Sequence, residues 1–326
     1  MAVKKKLRIK KKNFTIFIIC NILLIVGIVF IIHSIISGIN YLSEKEEQKK
    51  QEVVTKKENT NKKKTIQKKD TTENKITDEE SKLKELGNID KEMDFFNKDY
   101  INRYISYKNK NSELSNEQVV VNVNMGLDND FYTNTKETPY LNTIYVLVNK
   151  YYYLPDDYEA DDLESINSKY SIGGMKLRKE AKEAFEKMVS AALEDDMKII
   201  AMSSYRSYKY QVDLYNKYVK TDGKDAADTY SARPGFSEHQ TGLCLDVYDG
   251  EIPYTSFEKT NEYKWMQKNA YKYGFILRFP KDKTEETGYK FESWHYRYVG
   301  VDAAKYIYEN NISFEEYYVR FIENKK

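Results

Sequence analysis

The chain has 326 residues, with 53 basic and 51 acidic side chains and a net charge of only +2. This balance gives no global positive field and therefore no argument for binding nucleic acid. The 30 tyrosines and 14 phenylalanines, most of them after residue 95, can build a sizeable core. Cys20 lies in an apolar run and Cys244 in a predicted strand, which does not suggest a disulfide framework.

An apolar run from Phe14 to Ile39 follows a basic tail over residues 1–13. At about 1.5 Å per residue it spans roughly 39 Å, which exceeds the ~30 Å hydrocarbon core of a bilayer. The run is longer than the apolar part of a cleavable signal and lacks a small-residue cleavage site, so we expect an uncleaved transmembrane anchor over 14–39. Because basic residues stay on the cytoplasmic side, the chain is expected to be a single-pass protein of the cell membrane with its C-terminal domain outside the cytoplasm.

Residues 40–91 are rich in lysine, glutamate and aspartate and nearly free of aromatic side chains. Such a composition cannot bury enough apolar surface to offset the entropy of the chain, so we predict a charged, disordered stalk. A flexible chain of about 50 residues has an end-to-end distance of about 40 Å. The stalk would hold a folded domain away from the outer face of the membrane.

Residues 92–140 are expected to form a helical N-terminal extension, with helices near 95–107 and 116–125 and no assigned role. A buried strand is expected over 144–148, where the sequence reads IYVLV. Between Leu177 and Ala192, apolar residues recur at helical spacing, which predicts a helix packed on a core.

Strands are expected over 198–203, over 243–248 and from Gly274 up to Pro280. The helices expected around them cover residues 208–219, 258–273, 301–310 and 314–322. Ser313, ahead of the last helix, has capping-box spacing to a glutamate. Strands and helices are mixed without regular βαβ alternation, which favours an α+β domain over 141–326, with a small antiparallel central sheet flanked by helices.

Two of the three histidines lie in short motifs that also carry carboxylates. Six residues separate His239 from Asp246, and Glu292 lies three residues before His295. Two imidazoles and a carboxylate suit zinc, and three protein ligands leave the fourth tetrahedral position for water, as in catalytic sites. Glu292, which is close by but not needed as a ligand, suits a general base acting on that water.

Three segments resemble the signatures of the VanY-type D-alanyl-D-alanine carboxypeptidases, which are zinc peptidases. They read SSYRSYKYQ (Ser203–Gln211), SARPGFSEHQTGLCLDV (Ser231–Val247) and FESWHYRYVG (Phe291–Gly300). The resemblance covers roughly residues 151–320 and agrees in order, identity and context. It implies a zinc D,D-carboxypeptidase domain that acts outside the cytoplasm on peptidoglycan stem peptides or lipid-linked precursors ending in D-Ala-D-Ala.

Carried over residue by residue, the resemblance implies that His239, Asp246 and His295 bind zinc and that Glu292 is the catalytic base. Glu292 would take the proton of the attacking water and pass it to the departing D-alanine amine. The chain would thus be a zinc metallopeptidase that works without a catalytic serine.

The same resemblance implies that Arg206 stabilises the oxyanion of the transition state and that Gln211 and Ser237 hold the substrate's terminal carboxylate. Each residue has a plainer alternative. Arg206 could pair with a carboxylate of the next helix, Gln211 could be a helix-surface amide, and Ser237 could be a loop or capping hydroxyl. Trp294 is expected to pack against its neighbours, with substrate contact as the alternative, and Arg297 could orient a neighbouring group or form a surface ion pair.

Cys244 departs from the family pattern, which has a small residue at this position. It lies two residues before Asp246 and so on the same face of a regular strand. A thiolate there would compete for zinc, because sulfur is a good zinc ligand. The commoner role of a lone cysteine is that of a small buried apolar residue.

Two kinds of alternative stay open. The same metal site could cut a different bond, as in related peptidoglycan endopeptidases and D,D-dipeptidases. A chain of another class would be a non-catalytic cell-wall-binding module that keeps zinc for structure. Such a module should have lost the base, and Glu292 is present.

Overall fold

A computed structural model gives the structure of residues 81–84, 86 and 93–323. These residues belong to one compact unit, Glu79–Lys326. In the part of the chain thus described, no helix combines the length and the apolar character that crossing a bilayer requires.

Three predicted segments fall wholly or mainly outside the described residues: the basic tail (1–13), the anchor (14–39) and the stalk (40–91). They stay predictions. Five positions of the stalk are described, and of these residues 81–84 are helical and Leu86 is buried in an apolar cluster with later helices. Leu86 therefore has apolar partners that its charged sequence neighbours did not suggest.

Two helices lie within the range predicted as an N-terminal extension, 92–140. They are α1 (Ile101–Lys110) and α2 (Asn116–Met125). α2 has the predicted bounds, and Ser115 caps it by accepting a hydrogen bond from the backbone N–H of Gln118. The apolar cluster that joins the two helices contains Leu86, Ile101, Tyr104, Val119, Val120 and Val123.

The strand expected over 144–148 does not form. Its last three residues are buried, as the apolar pattern predicted, but three of its backbone carbonyls accept hydrogen bonds from the side chains of Arg297 and Thr138 and not from a neighbouring strand. Arg297 donates to the carbonyl oxygens of Ile144 (3.0 Å) and Val146 (2.8 Å). A buried cation from a distant part of the chain thus replaces the strand ladder, which this local sequence could not reveal.

Two small sheets precede the main one. β1 (Lys136–Glu137) pairs in parallel with β2 (Tyr152–Tyr153), and β3 (Leu163–Ser165) pairs antiparallel with β4 (Lys176–Arg178). Helix α3 (Lys179–Glu194) follows β4 directly. Its buried residues recur at helical spacing, as predicted, and are Ala181, Phe185, Met188, Val189 and Ala192.

A four-stranded antiparallel sheet forms the centre of the domain. Its strands, in chain order, are β5 (Ile200–Ser203), β6 (Cys244–Tyr248), β7 (Phe275–Leu277) and β8 (His295–Tyr298). In space the order is β5-β6-β8-β7, so β6 and β8 are the inner strands. The predicted mixture of helices with a small antiparallel sheet is confirmed.

The two inner strands have a core face and a site face, because side chains alternate along a strand. Leu245 lies opposite Tyr296, and both belong to the main apolar core. Asp246 lies opposite His295, one residue further along each strand and therefore on the other face. The register of the sheet itself brings this carboxylate and this imidazole together.

The remaining helices surround the sheet. They are α4 (Tyr208–Asp222), α5 (Lys224–Ala227), α6 (Asn261–Asn269), α7 (Thr284–Thr287), α8 (Val301–Asn310) and α9 (Phe314–Phe321). α8 has the predicted bounds, and α9 ends one residue earlier than predicted. The helix expected over 258–273 is shorter than predicted at both ends, because a 3₁₀ segment (Tyr254–Lys259) precedes it and a 3₁₀ turn (Ala270–Tyr273) replaces its last turn.

Helix α9 packs against the N-terminal extension. Ser313 begins α9 by accepting a hydrogen bond from the backbone N–H of Glu316, at 3.1 Å. Arg320 donates to Glu117 of α2 at 2.6 Å. Val319 packs in one apolar cluster with Val121 and Met125 of α2. The extension therefore braces α9.

Candidate active site

His239 lies in a 3₁₀ turn, Glu238–Thr241, that leads into β6. Gly242 ends this turn with φ +68°, and a Cβ there would lie 2.6 Å from the side chain of Leu163, so glycine is required. The Nδ1 atom of His239 is 2.7 Å from the carbonyl oxygen of Ser204, so Nδ1 carries the hydrogen. Nε2 then has a free lone pair, and it is buried without a hydrogen-bond partner.

Asp246 and His295 complete a group of three donors with His239. Asp246 Oδ1 lies 3.5 Å from His239 Nε2 and 3.1 Å from His295 Nδ1. Bonds of about 2.0–2.1 Å from a tetrahedral zinc to nitrogen and oxygen place neighbouring donor atoms about 3.3 Å apart. Both measured separations agree with this spacing. The lone pair of His239 Nε2 has no hydrogen-bond partner, and a zinc ion would accept it. The three side chains therefore fit zinc.

Cys244 offers a competing set of donors. Its thiol and one nitrogen of each of His239 and His295 lie within 4.8 Å of one another. Burial raises the pKa of the Cys244 thiol, but the two histidines outweigh this effect and lower the pKa to about 7. Asp246 lines the open cavity next to the site, whereas Cys244 is fully buried and does not line it. The cavity therefore favours the set with Asp246 over the set with Cys244, and the ligand set stays a prediction.

Glu292 lies beside the three donors without belonging to them. Its Oε2 atom is 3.7 Å from His295 Nδ1, and its side chain is 11% exposed. Burial raises the pKa of Glu292 to about 7; Asp246 adds to this effect and His295 opposes it. A carboxyl group of this kind can take up and return a proton near neutral pH.

One cavity of about 520 Å³ brings together the residues that three distant motifs supplied. Its lining includes every site residue predicted from the sequence, namely Arg206, Gln211, Ser237, His239, Asp246, Glu292 and His295. Trp294 lines it as well and packs edge-on against Tyr254, with ring centroids 5.0 Å apart. The roles predicted for these residues stay predictions, but the fold brings all of them to a common wall.

The three residues predicted to contact the substrate differ in which of their hydrogen-bonding atoms lack a partner. Arg206 Nε is buried without a hydrogen-bond partner, and no carboxylate of the described residues forms an ion pair with this guanidinium. Gln211 Nε2 donates to the carbonyl oxygen of Ala232 at 2.8 Å, which fixes the amide and leaves its buried Oε1 without a partner. Ser237 precedes the 3₁₀ turn without a side-chain capping bond. Arg206 and Ser237 thus keep donor groups for a substrate, whereas Gln211 uses an N–H group to hold a loop.

The sequence motifs did not reveal a network of buried charges around Glu238. Arg278 Nε and Arg297 Nη1 donate to Glu238 Oε1 at 2.7 Å and 3.0 Å. Arg278 also forms a two-bond ion pair with Glu315, at 2.8 Å and 2.6 Å. One signal was present in the sequence, because each arginine interrupts an apolar segment, and a buried cation requires a buried anion.

Comparison with known proteins agrees with this geometry. Residues 174–301 match the family model of VanY, D-alanyl-D-alanine carboxypeptidase. The chain is 39% identical to the putative carboxypeptidase YodJ of Bacillus subtilis (strain 168) over 224 residues, which cover 65% of this chain and 81% of that protein. It is 33% identical to the bifunctional D-Ala-D-Ala dipeptidase and D-Ala-D-Ala carboxypeptidase VanXYC of Enterococcus gallinarum, over 53% of this chain and 92% of that protein.

A solved structure is similar over the same part of the chain. The LdcB LD-carboxypeptidase superposes with a TM-score of 0.54 and 39% sequence identity, over 59% of this chain and 94% of that one. The similarity thus spans nearly the whole of that protein.

The two donor sets make different predictions for metal binding. Asp246→Ala removes a predicted ligand. Loss of an outer-shell partner weakens metal binding by roughly 10–100-fold, so the loss of a ligand should weaken zinc binding by more than that. Cys244→Ala should keep one zinc per chain, as measured by elemental analysis. When loaded with Co²⁺, the parent chain should lack the near-ultraviolet band of a thiolate-to-metal charge transfer. A band that is present in the parent and absent in Cys244→Ala would contradict the assignment.

Proposed function

Because the chain belongs to the VanY family of D-alanyl-D-alanine carboxypeptidases and is a zinc metallopeptidase, we propose that it removes the terminal D-alanine from peptidoglycan stem peptides. The observation that carries this proposal is that three metal donors, a buried carboxyl group and an unpaired guanidinium line one cavity. A cavity of about 520 Å³ has room for the end of a peptide.

The proposed chemistry uses each of these groups once. Zinc, when bound, supplies Lewis acidity that polarises the scissile carbonyl and makes water a nucleophile near neutral pH. Glu292 accepts a proton from the attacking water and then donates it to the departing D-alanine amine. Arg206 stabilises the negative charge that develops on the carbonyl oxygen, and its buried, unpartnered Nε–H supports this role.

The terminal carboxylate of the substrate is proposed to bind beside Ser237, where the hydroxyl can donate to it. Gln211 supports the same subsite from behind, because its bond to Ala232 holds the loop that leads to Ser237. The Nε2 atom of Gln211 also lies 3.5 Å from Ser231 Oγ, which is a long and weak hydrogen bond. A substrate carboxylate would be a stronger acceptor for the hydrogen of that bond.

A second candidate is an L,D-carboxypeptidase, which would release D-alanine from a stem in which it follows an L-configured centre. The likeness to LdcB, with 39% identity and a TM-score of 0.54, favours this alternative. VanXYC is also a D-Ala-D-Ala dipeptidase, so hydrolysis of free D-Ala-D-Ala is a third reaction to be tested. The metal donors and the base would serve all three reactions, since each of them hydrolyses the peptide bond before a C-terminal D-alanine.

We also propose that residues 14–39 anchor the enzyme in the cell membrane with the catalytic domain outside the cytoplasm, where stem peptides lie. The support is the length of the apolar run and the basic tail before it. The full chain should sediment with membranes and be cleaved when intact spheroplasts are treated with protease. A variant lacking residues 1–39 should stay in the soluble fraction inside the cell. Recovery of the full chain in the soluble fraction would contradict the anchor.

The substrate preference is tested with the purified, zinc-loaded full chain. It should be incubated separately with a pentapeptide stem ending in D-Ala-D-Ala, the matching tetrapeptide stem and free D-Ala-D-Ala, with products identified by mass spectrometry. We expect the pentapeptide to lose one D-alanine. Conversion of the tetrapeptide to a tripeptide, with the pentapeptide left intact, would instead make the enzyme an L,D-carboxypeptidase.

Glu292→Gln should separate chemistry from metal binding. The substitution preserves size but removes the proton acceptor, so we expect turnover to fall by about 10²–10⁴-fold. Zinc content, measured by elemental analysis, should stay at one ion per chain, because Glu292 is not a ligand. Turnover equal to that of the parent would rule out Glu292 as the base, and loss of zinc would make it a ligand.

A further inference from the structure

A buried carboxylate faces the nitrogen of His295 that points away from Asp246. Glu238 Oε2 is 3.5 Å from His295 Nε2, while His295 Nδ1 faces Asp246 Oδ1 at 3.1 Å. Glu238 Oε2 and His295 Nε2 are both buried, and neither has a hydrogen-bond partner among the described residues, although they face each other. An N–H group and a carboxylate oxygen in this situation stabilise each other, because each is costly to bury alone.

The other oxygen of Glu238 is fully occupied. Arg278 and Arg297 both donate to Oε1, at 2.7 Å and 3.0 Å, and both arginine side chains have 0% exposure. Glu238 is therefore an anion whose Oε1 is fixed by two cations and whose Oε2 is left for His295.

We propose that Glu238 is a positioning residue of the metal centre: it accepts a hydrogen bond from His295 Nε2–H and so turns the Nδ1 lone pair towards the metal. His239 is set the opposite way, because the carbonyl oxygen of Ser204 binds its Nδ1–H and leaves Nε2 for the metal. The two metal-binding histidines therefore have opposite tautomers. This inference rests on the proposed zinc site and goes beyond it by assigning the group that orients one of its ligands.

The network that holds Glu238 extends to the last described helix. Arg278 binds both oxygens of Glu315, at 2.8 Å and 2.6 Å, and Glu315 lies in the first turn of α9. Glu238 and Glu315 are thus two buried carboxylates on the same guanidinium, with side-chain exposures of 3% and 2%. Only Glu238 reaches a metal ligand, so Glu315 provides a matched control.

Glu238→Gln is the decisive variant because of the two arginines. They require an acceptor at the position of Oε1, so the carbonyl oxygen of the new amide should lie there. Its NH₂ group would then face His295 Nε2, where it cannot accept the imidazole hydrogen. The neutral amide therefore favours the wrong tautomer of His295, although its size is unchanged.

The first test measures zinc affinity of the full chain by competition with a chromogenic chelator. Glu238→Gln should weaken zinc binding by about 10–100-fold, the usual effect of losing an outer-shell partner. Glu315→Gln should change it by less than about threefold, although it removes a carboxylate from the same buried network. Unchanged affinity in Glu238→Gln, or an equal loss in Glu315→Gln, would overturn the proposal.

The second test needs no change to the network and keeps the proposal open to refutation if Glu238→Gln fails to fold. The chain has only three histidines, and His33→Gln leaves the two of interest. Ring ¹⁵N–¹H spectra of this zinc-loaded protein should show one imidazole with hydrogen on Nδ1 and one with hydrogen on Nε2. Two imidazoles with the same tautomer would overturn the proposal.

These tests separate the inference from the proposed function. If the parent chain binds no zinc, both the metal site and the role of Glu238 are wrong. If the parent binds zinc and releases D-alanine while Glu238→Gln keeps its zinc affinity, only the role of Glu238 is wrong.

Discussion

The register between β6 and β8 is the constraint on which the candidate site depends. Leu245 and Tyr296 fix that register, because both are fully buried in the core and lie opposite each other. A shift of one residue would turn Asp246 into the core and separate it from His295. The apolar pairs on one face of the sheet thus determine the spacing of the metal donors on the other face, and no flexible loop has to bring those two together.

Buried ion pairs fix the orientation of side chains that the register between β6 and β8 does not determine. An ion network of this kind is weak evidence for stability, since desolvation of the charges offsets most of their attraction. Its value here is geometric: Arg297 binds the backbone of 144–146 as well as Glu238, and Arg278 connects Glu238 to Glu315. One set of bonds therefore links the segment before the active site, the 3₁₀ turn that carries His239 and the start of α9.

Much of this organisation could be read from the sequence, and the limits have physical causes. Motifs around His239 and His295 predicted a donor set and a base whose members line one cavity, because ligand chemistry restricts both residue type and spacing. Periodicity gave α2 and α8 with their observed bounds, since each has a local start or stop signal. The prediction of a strand over 144–148 was wrong because Arg297 donates hydrogen bonds to carbonyl groups of this segment. The role of Glu238 was not predicted because its partners lie 40 or more residues away in the chain. Apolar patterning predicts burial, but it does not predict which distant side chain satisfies a buried polar group.

The contact between α2 and α9 implies an order of assembly. Arg320 and Glu117 are 203 residues apart in the chain, so their contact closes a very long loop and is entropically expensive to form early. During synthesis, Glu238 and Arg278 both emerge before Glu315, and the guanidinium lacks half of its anionic partners until α9 docks. The network of buried charges around Glu238 is therefore complete only when the two ends of the folded unit have met, which makes the last described helix the final part of that network to form.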